Sequence, residues 1–228
     1  MNILLTGSTG QLGKEIINNA PKNINLICPN RNKLDLTDFN ACFNFVINKK
    51  PDWIINAGAY TKVDDAEVNK KLTISTNAEC PLAFSKALKL TGGKILQIST
   101  DYVFDGNQSQ PYSINHKKSP VNFYGESKSL AEDNILSVFG EQKQYLILRT
   151  SWVMGRHGNN FLLTMLSLHL NKDIIRVVSD QIGAVTSSSS LAKACWQAIK
   201  NFSNDKFHQN NTPILHFTDI GETSWYEV

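Results

Sequence analysis

Three glycines before residue 14 limit what this chain can fold into more than any other feature. Gly7-Ser8-Thr9-Gly10-Gln11-Leu12-Gly13 follows directly on the apolar run Ile3-Leu4-Leu5 and opens an amphipathic stretch, Gln11 to Ala20. That stretch carries Leu12, Ile16 and Ile17 on one face and stops at Pro21. Between a strand and a helix, glycines at these positions have a physical use. Gly7 allows a tight turn, Gly10 lets the backbone approach a pyrophosphate, and Gly13 permits close packing of helix on strand. The spacing departs from GxGxxG by one residue in the turn. Even so, a simple βα turn does not need all three glycines, and the chain is expected to open with a dinucleotide-binding unit.

The rest of the chain continues the rhythm. Strands are predicted at Asn2 to Thr6, Ile24 to Cys28, Trp53 to Asn56, Lys94 to Ser99 and Tyr145 to Arg149. Between them the helical patterns are Gln11 to Ala20, a segment capped by Thr37 with Phe39, Cys42, Phe43, Val46 and Ile47 apolar, Ile74 to Leu90, and a helix carrying Tyr124. This alternation predicts an α/β fold, a Rossmann-like doubly wound parallel sheet. Its ligand is expected along the carboxyl ends of the strands. Beyond Arg149 the pattern loosens into a helix at Phe161 to Leu170, a strand at Ile174 to Val178, a helix at Leu191 to Asn201 and a short strand at Ile214 to Phe217. Polar stretches lie at Ser187 to Ser190, read as a capping segment, and at Ser203 to Asn211. The expected division is a dinucleotide-binding domain over 1–150 and a small, incomplete substrate-binding region over 151–228, interleaved with the sheet.

Composition excludes several classes. At 228 residues, 41% hydrophobic and 19% charged, the chain has the balance of a globular protein with a sizeable core. A formal charge of +3, with no more than two basic residues in a row, argues against nucleic acid or membrane partners. No segment reaches transmembrane length, and Ile3-Leu4-Leu5 is too short for a signal peptide. Cys28, Cys42, Cys80 and Cys195 are scattered and read as reduced thiols of a cytoplasmic protein, three of them core fillers. The five histidines show no HxH or HxxxH pairing, so no metal site is expected. His157 is placed near the cleft.

Chemistry is carried by Tyr124 and Lys128. A spacing of four puts phenol and ammonium on one helix face, where the cation is expected to lower the tyrosine pKa and make it a proton donor to a carbonyl oxygen. The hydroxyl of Ser99 or of Thr100, at the end of the fourth strand, can hydrogen-bond the same oxygen. At the end of the second strand, where an acidic residue would bind an NAD ribose, Arg31 offers a charge for the 2′-phosphate of NADP. NADPH is thus expected, with NADH also open, and a solvated surface arginine is the alternative. Asp35 falls near the adenine or, with Thr37, caps a helix. Ala57, Gly58 and Ala59 are small enough to let the backbone run along a cofactor.

Together these motifs resemble the dTDP-4-dehydrorhamnose reductases, an extended short-chain dehydrogenase/reductase family. Tyr124-xxx-Lys128 is shared by the whole superfamily. Ser99-Thr100-Asp101-Tyr102-Val103-Phe104-Asp105-Gly106, Arg149-Thr150-Ser151-Trp152-Val153 and Asp180-Gln181-Ile182-Gly183 are specific to this subgroup, and matching segments run from Gly7 to Glu227. The resemblance implies a catalytic set of Thr100, Tyr124 and Lys128. It implies cofactor contacts from Gly7, Gly10, Gln11, Leu12, Gly13, Arg31, Asp35, Leu36, Ala57, Ala59, Tyr60 and Asn77, with Tyr124 and Lys128 joining them. Val63, Asp101, Val103 and Trp152 would touch the sugar, and Asn160 and Gln181 the nucleotide end of a dTDP-linked 4-keto-6-deoxy sugar. The lesser alternatives are a core aromatic for Trp152 and a helix cap for Asn160. Magnesium enters through the family alone. A homodimer stays open, since an apolar face that dimerises looks like one that lines a core.

The sequence departs from the family pattern at three places. Met154 stands where tyrosine is usual, and Val185 where proline precedes the threonine at 186. The chain also stops at Ser224-Trp225-Tyr226-Glu227-Val228, where the family continues, so a short substrate lobe is expected. Another nucleotide-sugar reductase or epimerase, and a non-catalytic NADP-binding subunit of the same fold, are the alternatives.

Overall fold

The computed structural model describes residues 1–142, 144–203 and 213–228. The stretch Ser203 to Asn211 and His208 therefore lie, apart from the backbone of Ser203, outside the described residues. A six-stranded, wholly parallel sheet forms the middle layer. Its strands are β1 (Asn2–Thr6), β2 (Asn25–Ile27), β3 (Trp53–Asn56), β4 (Lys94–Thr100), β5 (Tyr145–Thr150) and a last one, Ile214–His216. The spatial order is β2-β1-β3-β4-β5 and then Ile214–His216, with Leu4 opposite Ile27 and Ile54. Chain direction across the sheet reverses between β1 and β3, which is the topological switch point of a doubly wound fold.

Apolar alternation explains the two faces. Ile3, Leu5, Trp53, Ile55, Leu96, Leu146 and Leu148 point to one side. They meet Leu12 and Ile16 of α1 (Gln11–Asn18) and the Leu191-to-Phe202 face of a long C-terminal helix, Ser188–Ser203. Leu4, Ile54, Ile95 and Ile147 point to the other side. There they meet α2 (Phe39–Lys49), Cys80 to Leu88, and Ile135 and Phe139. Both faces are covered, so the strands are nearly continuous apolar runs, as parallel sheets require.

Between β3 and β4 run α3 (Val63–Val68), α4 (Lys70–Ile74), a π-helical turn (Ser75–Glu79) and α5 (Cys80–Thr91). The sequence predicts one helix from Ile74 to Leu90. Pro81 lacks the amide that would bond the carbonyl of Asn77, and the ladder widens there. The Tyr124 helix is α6 (Phe123–Phe139), capped by Asn122, whose Oδ1 accepts from the Gly125 amide at 2.8 Å. After β5 come β6 (Val153–Met154), α7 (Phe161–His169), β7 (Ile182–Gly183), β8 (Thr186–Ser187), α8 (Ser188–Ser203), β9 (Ile214–His216) and β10 (Thr223–Ser224). β6 pairs with β8, and β7 with β10, in two small ladders outside the main sheet.

Other expectations need correction. The cap of α2 is Asp38, which accepts from the Ala41 amide at 2.9 Å; Thr37 instead bonds Asp35. Ile174 to Val178 forms no strand: it is an apolar run with no strand beside it among the described residues, and β-propensity needs a partner to act on. Ser188 to Ser190 form the first turn of α8 rather than a segment ahead of it. Ile17 faces solvent, and Glu15 is buried in its place. Cys42, Cys80 and Cys195 are buried and Cys28 is exposed.

Phe84 anchors the second face and is fully buried between α2 and the sheet. Phe84→Ala should lower unfolding stability by about 3–5 kcal/mol, measured by urea denaturation. A loss below about 1 kcal/mol would show that α5 is not clamped there.

Candidate active site

The site is built where the strands end. Thr6, Asn56, Thr100 and Thr150 close β1, β3, β4 and β5, and all four line one cleft of about 980 Å³. At its floor Gly7 has φ +66°, and a Cβ there would stand 2.7 Å from Ala57 O and Gly58 N. A Cβ on Gly13 would reach 2.1 Å from Gly7 O. Only glycine satisfies both positions, and they leave the α1 amides facing the cleft, as an anion requires. The Gly10 amide donates to Gly7 O at 3.0 Å, closing the turn.

A polar chain runs beneath this loop. Thr6 Oγ1 accepts from the Gly58 amide at 3.0 Å and donates to Asn56 Oδ1 at 2.6 Å. Asn56 Nδ2 donates to Gln97 Oε1 at 2.7 Å, and Gln97 Nε2 to Ile98 O at 2.8 Å. The same carbonyl accepts from Lys128 Nζ at 2.7 Å.

Beside it stand Thr100 and Tyr124. Thr100 Oγ1 donates to Asp101 Oδ1 at 3.0 Å, accepts from the Tyr102 amide at 3.2 Å, and faces the Tyr124 phenol. The Tyr102 and Tyr124 rings meet edge to face at 5.7 Å. Of the two candidate hydroxyls, that of Ser99 is taken: it donates to the buried Glu132 at 2.6 Å.

The electrostatics differ from the expected ones. Burial raises the Tyr124 pKa well above its ordinary value, Asp101 raises it further, and the Thr100 hydrogen bond opposes them. Lys128 does not lower it, because its ammonium is turned to Ile98 O, on the strand side of α6. Lys128 itself is pushed down to about 8 by burial, against the pull of Glu132 and Cys80. Asp101 is pushed up to about 6, again by burial. Desolvation dominates all three.

Among the remaining predicted residues, Gly10, Gln11, Leu12, Arg31, Asp35, Leu36, Ala59, Tyr60, Val63 and Trp152 line the cleft. Arg31 is exposed, with Asp35 at 4.0 Å, and Asp35 Oδ1 accepts from the amide and hydroxyl of Thr37 at 2.9 Å each. Four others stand back from it. Asn77 is buried and clamps Tyr60 through its amide (2.7 Å) and carbonyl (3.0 Å), while also donating to Ser127 Oγ. Val103 is fully buried. Asn160 caps α7, accepting from the Leu163 amide at 3.1 Å and donating to Gly155 O at 2.7 Å. Gln181 Oε1 accepts from Trp225 Nε1 at 3.1 Å. His157 packs 3.7 Å from Glu15 and does not line the cleft.

Trp225 is one of the lining residues that sequence reasoning missed. Its ring stacks on Trp152 at 3.7 Å and tilts against Phe161 at 4.6 Å. The available signal was a lone tryptophan in a polar stretch, with Glu227 three residues beyond Ser224 to cap the turn. Among the described residues no three His, Cys, Asp or Glu side chains gather to hold a metal, and no helix is long and apolar enough to cross a membrane.

A parallel sheet with a glycine loop at its switch point, and Thr, Tyr and Lys side chains gathered beside it, defines a dinucleotide-binding protein of the short-chain dehydrogenase/reductase kind. The chain belongs to the RmlD substrate binding domain family, whose model matches residues 1–228. A dTDP-4-dehydrorhamnose reductase of Burkholderia thailandensis is 36% identical over 227 residues, covering 99% of this chain and 75% of that protein. The crystal structure of a dTDP-4-dehydrorhamnose reductase from Clostridium acetobutylicum superimposes with a TM-score of 0.90 at 36% identity, over 100% of this chain and 77% of that one. Another, from Bacillus anthracis in complex with NADP, gives 0.87 at 33% identity, over 99% and 77%.

Asp101 supplies a test of this electrostatic picture. An unfolded aspartate titrates near 3.9, so a folded value of about 6 means that the native state holds the proton more tightly. That contribution is complete below the unfolded value and is lost as pH rises through 6. Asp101→Asn should therefore gain on the parent by about 1–3 kcal/mol between pH 4 and pH 7. Urea titrations at the two values measure the gap, and an equal gap at both would refute the assignment.

Proposed function

We propose that this chain is an NADPH-dependent reductase of the 4-keto group of dTDP-4-dehydro-L-rhamnose, yielding dTDP-L-rhamnose. The observation that carries this is the meeting of the Tyr124 phenol with the Thr100 hydroxyl in the cleft that begins at the glycine loop. Family membership supports the substrate class, and the NADP-bound relative supports the cofactor.

The residues present fit a dinucleotide. The Gly7 and Gly13 positions have no room for a Cβ, so backbone alone can face a pyrophosphate there. Gly10, Gln11 and Leu12 would flank it, Arg31 would meet the 2′-phosphate, and Ala57, Ala59 and Tyr60 the adjoining ribose. When bound, NADPH supplies a hydride to the sugar C4. Thr100 orients the 4-keto oxygen, and Tyr124 gives its proton to that oxygen as the alkoxide forms. A phenol raised by burial is fully protonated at neutral pH, which suits an acid. Lys128, a cation below about 8, holds the nicotinamide ribose from the strand side of α6. Asp101, Val63 and the Trp152–Trp225 stack form the sugar side, where an aromatic face packs on the deoxyhexose. Most of the rate comes from orientation together with this proton transfer.

NADPH consumption with the 4-keto sugar nucleotide generated in situ tests the proposal. The parent should turn over, and Tyr124→Phe should be slower by about two orders of magnitude or more with NADPH affinity retained. If NADPH binds and neither protein turns over, the chain is a non-catalytic NADP binder.

A further inference from the structure

Behind the cleft lies a charged cluster to which these steps give no part. Glu132 sits on α6, one turn beyond Lys128, and is fully buried. Its Oε1 accepts from Ser99 Oγ at 2.6 Å and from Arg149 Nε at 2.9 Å. Its Oε2 accepts from Arg149 Nη2 at 2.7 Å and faces Lys118 Nζ at 3.6 Å. Arg149, equally buried on β5, also donates to Ile114 O at 3.2 Å. It meets His216 Nε2 of β9 at 3.3 Å and lies over the Phe104 ring at 5.1 Å. One ion pair thus touches α6, β4, β5, β9 and the loop between β4 and α6.

Stability is a weak reason for such a pair. Removing two charges from water costs several kcal/mol per ion, and well-packed apolar residues commonly do as well or better. Burial would raise the Glu132 carboxyl, but Arg149, Ser99 and Lys118 more than offset it and keep the group ionised. Position is the better reason. Ser99, which Glu132 grips, lies between Ile98, whose carbonyl holds Lys128 at 2.7 Å, and Thr100, which lines the cleft with Tyr124. Tethering Ser99 to α6 sets both positions at once. Lys128 is faced by Glu132 from its own helix and by Cys80 from α5; Glu132 is faced by Arg149 from β5 and Lys118 from the loop.

We propose that Glu132 and Arg149 are a positioning pair for the reductase site: they lock the end of β4 to α6, so that Thr100, Tyr124 and Lys128 keep one arrangement, and Glu132 gives Lys128 a fixed counter-charge. The role rests on the reductase activity proposed above. Glu132→Gln keeps the shape and removes the charge. Its kcat with the 4-keto sugar nucleotide should fall about 10- to 100-fold, with the Kd for NADPH within about twofold of the parent. The alkaline decline of kcat should move down by about one pH unit, because Lys128 loses its counter-charge. A folded Glu132→Gln with unchanged kcat and an unmoved alkaline limb overturns the proposal. If that variant does not fold, the double variant E132M/R149M, which removes both charges, should fold, bind NADPH and have lost kcat; full kcat in it also overturns the proposal. Failure of both variants to fold assigns the pair to stability alone and overturns it too. A parent that binds NADPH without turnover overturns the reductase activity itself, and the pair's role with it.

Discussion

The cleft depends on two backbones coming closer than side chains would allow. β1 and β3 are neighbours, but the chain leaves them toward opposite edges of the sheet, so the space between their ends stays open. Gly7 fills the gap with backbone at φ +66°, and Gly58 answers it from the turn after β3: a Cβ there would stand 3.1 Å from Gly7 N and 2.5 Å from Leu36 Cδ1. The wall facing a cofactor is therefore made of peptide dipoles, with no side chain to fold over it. The hydrogen-bonded chain Thr6–Asn56–Gln97–Ile98 O then carries this geometry across β1, β3 and β4 to Lys128. Because the side chains of Thr6, Asn56, Gln97 and Lys128 are buried, breaking a link leaves an unsatisfied polar group away from water, and the arrangement holds as a unit.

Desolvation then sets the protonation of the site. Tyr124 rises, Asp101 rises to about 6 and Lys128 falls to about 8, each moving toward its neutral form. At neutral pH this leaves a fully protonated phenol beside a lysine whose charge is held with a margin of about one pH unit. Burial alone would take the lysine further down. The carboxylate of Glu132, kept ionised by Arg149, opposes that fall.

Much of this was legible because it is local. The glycine loop, the alternating apolar strands and the Asn122-to-Lys128 helix each write their conformation into a few neighbouring residues, and the structure has the five predicted strands of the first 150 residues within two residues of their predicted ends. What was not legible is set by contacts distant in the chain. No local signal says that Lys128 Nζ turns to a carbonyl thirty residues earlier, or that Glu132, one turn along the same helix, pairs with Arg149. The Ile174 to Val178 run has strand composition and lacks a neighbour to pair with. The helix predicted from Ile74 is divided by Pro81, which removes one hydrogen bond without ending the helix.

The same distinction separates the two sides of the cleft. The glycine loop, Gly7 to Gly13, is a short continuous segment that works through its backbone. The opposite side is assembled from pieces that meet only after folding: Trp152 after β5, Gly183 on β7 and Trp225 after β10. Trp152 takes φ +43°, which costs a non-glycine residue of the order of 1–3 kcal/mol, and it is held there on two sides. A Cβ on Gly183 would come within 2.8 Å of its ring, and Trp225 stacks on it at 3.7 Å. A strained aromatic fixed by two distant elements is a poor core filler, since a relaxed residue would pack as well without the strain. Its place in the same cleft as Tyr124 is the observation behind the sugar-facing surface proposed above.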